Sequence, residues 1–210
     1  MRRFLIMVCL IALALTLTQV REKKVLAQEK EEETVYSGGI KVDLTEEEVQ
    51  EATNWGRKNK DLPGMLLSFH QFGSSGPYEE RGTITTKFSI LAIFGSECAK
   101  SKTEVDRALI ETILNYKLLG VTIHTLGDKI DFAKGYHIVL KQGEKVIQPV
   151  SVADISQANT TLYFPQSPSY VAEIGALFPQ SAVDPKAKTT VILIKDRGES
   201  RFEVDFSMYK

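Results

Sequence analysis

Hydrophobic and polar residues alternate along much of the chain with a period of two, which is the pattern of half-buried β-strands. The alternation predicts strands over residues 121–126, 136–142, 145–152, 160–164, 170–178 and 201–206. Gln142, Gly143, Glu144 and Lys145 form a tight hairpin signal between the second and third of these. A near-continuous apolar run predicts a further strand, buried on both faces, over residues 189–195. Residues 171–174 also fit a short helix. Because turn residues and not helices separate the late strands, we expect antiparallel pairing.

A period of 3.6 predicts two amphipathic helices in the first half of the chain. Thr45 and Glu48 have capping-box spacing, which places the start of the first helix after Thr45. Its apolar positions are Val49, Ala52 and Trp55, and Trp55 is expected to dock the helix on the core.

Ser101 and Glu104 repeat the capping-box spacing and predict that the second helix begins at Ser101. Gly120 would follow its last turn. Its expected buried stripe consists of Val105, Ala108, Leu109, Thr112, Ile113 and Tyr116.

The segment between these helices is ambiguous. Ile84, Thr86, Phe88, Ile90, Ala92 and Phe94 lie on one face of an extended run. The alternation predicts a strand that either enters a fully buried sheet or becomes a helix near Ile93.

Together these elements predict a mainly β protein, α+β by content. The expected fold is an antiparallel β-sandwich, immunoglobulin-like in architecture, with two amphipathic helices packed on one side or end. The Cys–Trp–Cys pattern of true immunoglobulin domains is absent from the sequence. Residues 41–210 are long enough to form one globular β-rich domain.

The N-terminus has the pattern of an export signal. Arg2 and Arg3 precede an uncharged apolar run, and residues 25–27 offer a cleavage site before Gln28. Four charged residues at 21–24 separate the run from that site. Residues 1–27 are therefore expected to be removed as a signal peptide, or residues 4–20 stay as an uncleaved membrane anchor. Either outcome exports the domain, and residues 28–40 form a charged flexible linker.

The composition is that of a globular protein, with 43% hydrophobic and 25% charged residues among 210. Residues 1–27 carry five bases and one acid, so the remainder has a formal charge of −5. An acidic chain without a basic patch excludes nucleic acid as an expected partner. Loss of Cys9 with the signal would leave Cys98 alone, where we expect a small buried hydrophobe.

No catalytic motif stands out, and no cofactor is expected. His70, His124 and His137 form no local zinc motif. His124, Asp128 and Asp131 are weak metal candidates because three such ligands are few for a cation site. One alternative is an exported hydrolase whose site brings together His124, Asp128 and Cys98 from distant positions, and another is a small-molecule carrier with an apolar cavity.

The leading hypothesis is a non-enzymatic binding module in the cell envelope, periplasmic or secreted. Phe69, His70, Phe72 and Tyr78 flank a Gly/Ser loop and would form an exposed aromatic surface, although they also fit an edge strand. The expected partner is an envelope protein or a polymer. Contact with a membrane is expected only through the N-terminal segment, if that segment is not cleaved.

Overall fold

The structure, a computed structural model, describes residues 39–61, 70–74, 76, 78–153 and 157–210. The predicted signal peptide and most of the predicted linker lie outside these residues. The described residues form three helices: α1 (Glu46–Lys58), α2 (Lys87–Ser101) and α3 (Arg107–Leu114). Their strands are β1 (Gln71–Gly73), β2 (Arg81–Thr85), β3 (Leu118–Gly127), β4 (His137–Gln142), β5 (Lys145–Ile147), β6 (Ser151–Val152), β7 (Asn159–Thr160), β8 (Tyr170–Pro179), β9 (Lys188–Ile194) and β10 (Glu199–Asp205).

The strands form two antiparallel sheets in an α+β fold. The six-stranded sheet has the order β1-β2-β3-β8-β6, with β7 also paired to β8, and the four-stranded sheet has the order β10-β9-β4-β5. The central strands β3 and β8 pair along all ten residues, from Leu118 opposite Pro179 to Gly127 opposite Tyr170. The predicted antiparallel pairing is confirmed, whereas the helical alternative for residues 171–174 is wrong because these residues lie within β8.

Two predicted strands are shorter than expected. The predicted strand 145–152 is divided into β5 and β6, which belong to different sheets. In the predicted strand 160–164, only Thr160 belongs to a strand, and the residues after it form a loop.

One hydrophobic core receives side chains from both sheets. Ile84, Ile123 and Ile174 from the six-stranded sheet are fully buried in the same cluster as Ile138 and Leu193 from the four-stranded sheet. Burying each such side chain stabilises the fold by about 1.5–3 kcal/mol before the cost of ordering it. The inward positions alternate along β3 and β8 as the period of two predicts.

The helices have a separate core. Val49 and Ala52 from α1 pack with Phe88 and Leu91 from α2 and with Ile113 from α3. Trp55 is half-buried and is not among the buried residues of α1, so its docking role stays a prediction. Glycines allow the close crossing: Gly56 lies against the backbone of Ala92, and Gly95 lies against the backbone of Thr53.

The start of α1 is predicted correctly, because Thr45 Oγ1 accepts from Glu48 N at 3.3 Å and Glu48 Oε2 accepts from Thr45 N at 2.9 Å. Residues 87–94, in contrast, are helical and not extended. Thr86 caps α2 through a second reciprocal box, in which Ser89 N donates to Thr86 Oγ1 at 3.2 Å and Thr86 N donates to Ser89 Oγ at 2.9 Å. Apolar residues lie on several sides of this largely buried helix, so no single stripe revealed it.

The predicted start of the second helix is also wrong. Ser101 is the last residue of α2, and Lys102 ends that helix with a left-handed backbone at φ 55°. Asp106 caps α3 instead, since its Oδ1 accepts from Ala108 N at 3.0 Å. Of the expected buried stripe only Ile113 is buried, and Gly120 lies within β3.

A buried lysine fastens α3 to the chain before α1. Lys87 is 1% exposed, and its ammonium donates to the carbonyls of Val42 at 2.5 Å and Leu114 at 2.6 Å. Burial lowers the pKa of Lys87. Since Leu114 ends α3, the lysine satisfies one of the carbonyls left open at a helix C-terminus.

Among the residues that the structure describes, no helix combines the length and the hydrophobicity that crossing a membrane requires.

Candidate functional site

One end of the six-stranded sheet gathers three connecting segments. Arg81 at the start of β2 lies opposite His124 near the end of β3, and Tyr170 at the start of β8 lies opposite Gly127 at the end of β3. The loop before β2, the turn after β3 and the loop before β8 therefore meet at the same end of the sheet.

Exposed apolar side chains lie at this end. Leu162 is 81% exposed, Phe164 51% and Tyr163 42%. The ring centroid of Tyr78, from the loop before β2, lies 4.2 Å from that of Tyr163. We call Tyr78, Leu162, Tyr163 and Phe164 the aromatic tip. Because apolar side chains grouped on a surface are characteristic of interaction sites, the aromatic tip is the candidate binding surface.

Hydrogen bonds hold the loop that carries most of the aromatic tip, residues 161–169. Thr161 Oγ1 donates to the carbonyl of Pro168 at 2.5 Å, and Ser169 Oγ lies 3.0 Å from the carbonyl of Pro165. The carboxylate of Asp128, in the turn after β3, accepts from Ser167 Oγ at 3.1 Å and from Ser169 N at 3.2 Å. The aromatic tip is thus presented on a loop fastened to its neighbours, which lowers the ordering cost of binding.

Three ionisable side chains form a row across the strands at the same end. Arg81, His124 and Glu173 are consecutive cross-strand neighbours on β2, β3 and β8. His124 Nδ1 lies 3.2 Å from Glu173 Oε1, and these two side chains are 20% and 19% exposed. The Arg81 guanidinium donates to the carbonyl of Gly76 at 3.3 Å.

Burial shifts the protonation of this row. It lowers the pKa of His124 to about 4, and the positive charge of Arg81 acts in the same direction. Burial raises the pKa of Glu173 to about 7, against the opposing effect of Arg81. Both shifts favour the neutral forms, so between these two pKa values the close contact of His124 Nδ1 with Glu173 Oε1 brings together two neutral groups and is not an ion pair.

The four residues of the predicted aromatic surface do not share one environment. Phe69 lies outside the described residues. His70 is fully buried and Phe72 is 8% exposed in the main core, so the expectation that they are exposed is wrong. Phe72 faces inward because it is a cross-strand partner of Gly82 on the core side of β2. Tyr78 is half-buried, and the structure places it in the aromatic tip.

The residues proposed for a hydrolase site or a metal site make different contacts or lie in different parts of the fold. His124 contacts Glu173, Asp128 holds the loop before β8, and Cys98 lies in α2 of the helical layer. Asp131 is exposed in the turn after β3. Within the described part of the chain, no three His, Cys, Asp or Glu side chains are arranged to hold a metal ion.

A groove of about 420 Å³ lies between α1 and α3. Its lining mixes apolar residues such as Val49 and Ile110 with charged ones, and the guanidinium of Arg57 forms an ion pair with Glu104 across it. The groove belongs to the helical layer and is partly polar. It therefore differs from the apolar cavity between sheets that the carrier alternative requires.

Sequence reasoning missed most of the site. The alternation predicts a strand for Leu162, Tyr163 and Phe164, although three large apolar residues followed by Pro165 and Pro168 are a poor strand pattern. Arg81 and Glu173 carried no signal, because they come together only through the register of β2, β3 and β8.

Comparison of the chain with family models, with curated proteins and with solved structures gives no match.

Proposed function

We propose that this chain is an exported, non-enzymatic binding module of the cell envelope that captures a partner protein through the aromatic tip. The observation that carries the proposal is the exposure of Leu162, Tyr163 and Phe164 on a loop that hydrogen bonds hold in place. Aromatic anchors presented on a rigid scaffold supply much of the binding energy of protein interfaces.

A protein partner fits the tip better than a polymer does. Leu162 is the most exposed member of the tip, and an aliphatic side chain gains little from a sugar ring, whereas it gains from burial in an apolar pocket. The ring of Tyr78 lies against Tyr163, and that of Phe164 lies 5.7 Å from Tyr170, so part of the ring surface is already covered. A shallow pocket on another protein matches such a knob of mixed rings and aliphatic atoms.

The proposal includes one statement about the fold and one about localisation. The shared core of the two sheets supports a sandwich arrangement, and an immunoglobulin-like architecture remains a prediction. Export rests on the sequence pattern of residues 1–27. Intact mass and N-terminal sequencing of the protein from fractionated cells test export: a chain that begins at Gln28 outside the cytoplasm indicates release, and a full-length chain in the membrane fraction indicates an anchor.

Site-specific photocrosslinking in the producing cells tests the binding surface. A benzophenone amino acid at Leu162 should give adducts with one protein of fixed mass, and the same label at Val146 should not. Val146 is a suitable control because it is an exposed aliphatic residue, at 52%, on β5 of the other sheet.

A second substitution distinguishes specific binding of the partner from crosslinking to any protein that happens to be nearby. With the label at Leu162, Phe164→Ser should reduce the adduct at least fivefold without changing the thermal midpoint, because Phe164 is half exposed. Equal adducts at Leu162 and Val146, or adducts with lipid or polysaccharide only, would contradict a protein partner.

A further inference from the structure

The row of Arg81, His124 and Glu173 lies beside the loop that carries Tyr78. Arg81 begins β2, and its guanidinium reaches back to the carbonyl of Gly76 at 3.3 Å. Two residues after Gly76, Tyr78 packs against Tyr163. A single cation thus connects the ionisable row with the aromatic tip.

Arg81 has a second potential partner on the other side of His124. The backbones of β2 and β8 are two strand spacings, about 10 Å, apart on either side of β3, a gap that the long side chains of Arg81 and Glu173 span only together. The charge of Arg81 already acts on the carboxyl group of Glu173. The carboxyl group of Glu173 attracts Arg81 only when it is ionised. The partner that Arg81 prefers is therefore set by the protons on the pair formed by His124 and Glu173.

We propose that the proton carried by Glu173, beside the neutral His124, keeps Arg81 on the carbonyl of Gly76, and that loss of this proton draws Arg81 toward Glu173 and releases the backbone at Gly76 and Tyr78. With one proton on the pair, the row carries a charge of +1, located on Arg81. Without that proton the row is neutral, because the carboxylate of Glu173 compensates Arg81. The carbonyl of Gly76 then competes with a full negative charge, which is the stronger acceptor.

The described residues of the neighbouring strands place no further charged side chain on this face of the sheet that could compete for Arg81. The remaining described residues that the strand register places on this face of β1, β6 and β7 are uncharged: Gln71, Gly73, Ser151 and Asn159. Glu79 is the charged group within the loop, and its exposed carboxylate lies beside Gly76.

The pKa values of Glu173 and His124 give the pH range in which Arg81 is expected to change partner. Burial raises the pKa of Glu173 to about 7, so loss of the proton falls close to neutral pH. Burial lowers the pKa of His124 to about 4, so a second proton is taken up only in acid. Regulation of the aromatic tip in this way rests on the proposed function, but the movement of the loop is a property of the free protein.

Nuclear magnetic resonance of the isotope-labelled full chain tests the inference without any partner. The carboxyl carbon of Glu173 should titrate near pH 7, and the amide signals of Gly76 and Tyr78 should shift with the same midpoint. Glu173→Gln should abolish the neutral titration of both amides. As a matched control, His137→Gln should leave it unchanged, because His137 lies on β4 of the other sheet.

Arg81→Gln provides a second readout that loss of structure alone would not produce. Removing the cation should raise the midpoints of both Glu173 and His124, because Arg81 lowers both pKa values. It should also uncouple Gly76 from the titration. The inference is overturned if Gly76 does not follow Glu173 in the wild-type protein, or if its neutral titration survives Glu173→Gln. Loop titration without crosslinking at Leu162 would refute the proposed function alone.

Discussion

Lys195 Nζ lies 2.7 Å from Glu80 Oε1, and this ion pair joins the four-stranded sheet to the six-stranded sheet. Glu80 precedes β2, and Thr125 on β3 donates to the same carboxylate. From the other sheet, Ser200 on β10 donates to Glu80 Oε2 at 2.5 Å. One carboxylate thus collects donors from both sheets at a site where its side chain is 24% exposed.

We expect Glu80→Gln to weaken the connection between the sheets. Burial raises the pKa of Glu80, but the hydrogen bonds from Lys195, Ser200 and Thr125 outweigh burial and hold that pKa below its ordinary value. The ionised carboxylate therefore stabilises the fold above the unfolded pKa of 4.5, and this contribution is lost as the pH falls through the folded pKa. Neutralising the group should lower the free energy of unfolding by about 1.5–3 kcal/mol at pH 7.

Urea unfolding at several pH values measures this effect. The difference between Glu80→Gln and the wild-type protein should shrink as the medium is acidified below pH 4.5. Glu79→Gln is the matched control, because the neighbouring carboxylate is exposed and its loss should change stability by less than about 0.5 kcal/mol. Equal effects of the two substitutions would show that the inter-sheet network contributes little.

The crossing of α1 and α2 should not tolerate a methyl group at Gly56. A Cβ atom there would lie 1.8 Å from the carbonyl oxygen of Ala92, so the helices must separate. We expect Gly56→Ala to destabilise the protein by about 2–4 kcal/mol, although alanine favours helices. Thermal unfolding followed by circular dichroism measures the loss.

Gly175→Ala is the corresponding control. A Cβ atom at Gly175 in β8 would meet only the side chain of Ala153 at 3.6 Å, an ordinary contact. This substitution should leave the midpoint within a few degrees of the wild-type value. If Gly56→Ala were equally mild, the helices would be less closely packed than the structure shows.

The sequence predicts best those helices and strands that have a capping box or one regular buried face. Thr45 and Glu48 locate the start of α1, and the period of two locates β3 and β8 because each has a regular buried face. The near-continuous apolar run at residues 189–195 locates β9. The period of two is misleading at residues 87–94. There the cap uses Ser89 where a capping box usually has a glutamate or glutamine, and burial on several sides of α2 removes the helical stripe.

Acid should destabilise the protein through His70. Burial lowers the pKa of His70 to about 4, while its hydrogen bond to the carbonyl of Lys210 acts in the opposite direction. The unfolded chain takes up this proton at about 6.5, so the neutral imidazole contributes full stability above pH 6.5 and loses it as the pH falls toward 4. A gap of about 2.5 pKa units corresponds to at most about 3–4 kcal/mol of stability.

The free energy of unfolding between pH 7 and pH 4 tests this expectation. His70→Gln should be less stable than the wild-type protein at pH 7 but should show a shallower decline with acid, by about one proton. His137→Gln should retain the wild-type slope, since His137 lies at a half-exposed position of β4. An unchanged slope in His70→Gln would mean that His70 accepts a proton in the folded protein as readily as in the unfolded chain.

The candidate site was less predictable than the fold, because its members are distant in sequence. Tyr78 was expected to be exposed from its Gly/Ser surroundings, but its packing on Tyr163 depends on which strand ends meet. His124 and Glu173 show no motif, and a shift of one residue in the pairing of β3 with β8 would place them on opposite faces. The pairing register of these strands depends on how the whole core packs, and a short stretch of sequence does not carry that information.

Asp128 should control the aromatic tip without belonging to it. Its carboxylate accepts from Ser167 Oγ and Ser169 N, so Asp128→Ala removes two restraints on residues 161–169. Hydrogen exchange of that segment should become at least tenfold faster, whereas global stability should fall by only about 1 kcal/mol because Asp128 is exposed. Since an ordered loop binds at lower entropic cost, the crosslink yield at Leu162 should fall as well. Asp131→Ala, at an exposed position of the same turn, should change neither the hydrogen exchange of residues 161–169 nor the crosslink yield at Leu162. Unaltered exchange in Asp128→Ala would show that other bonds alone order the loop.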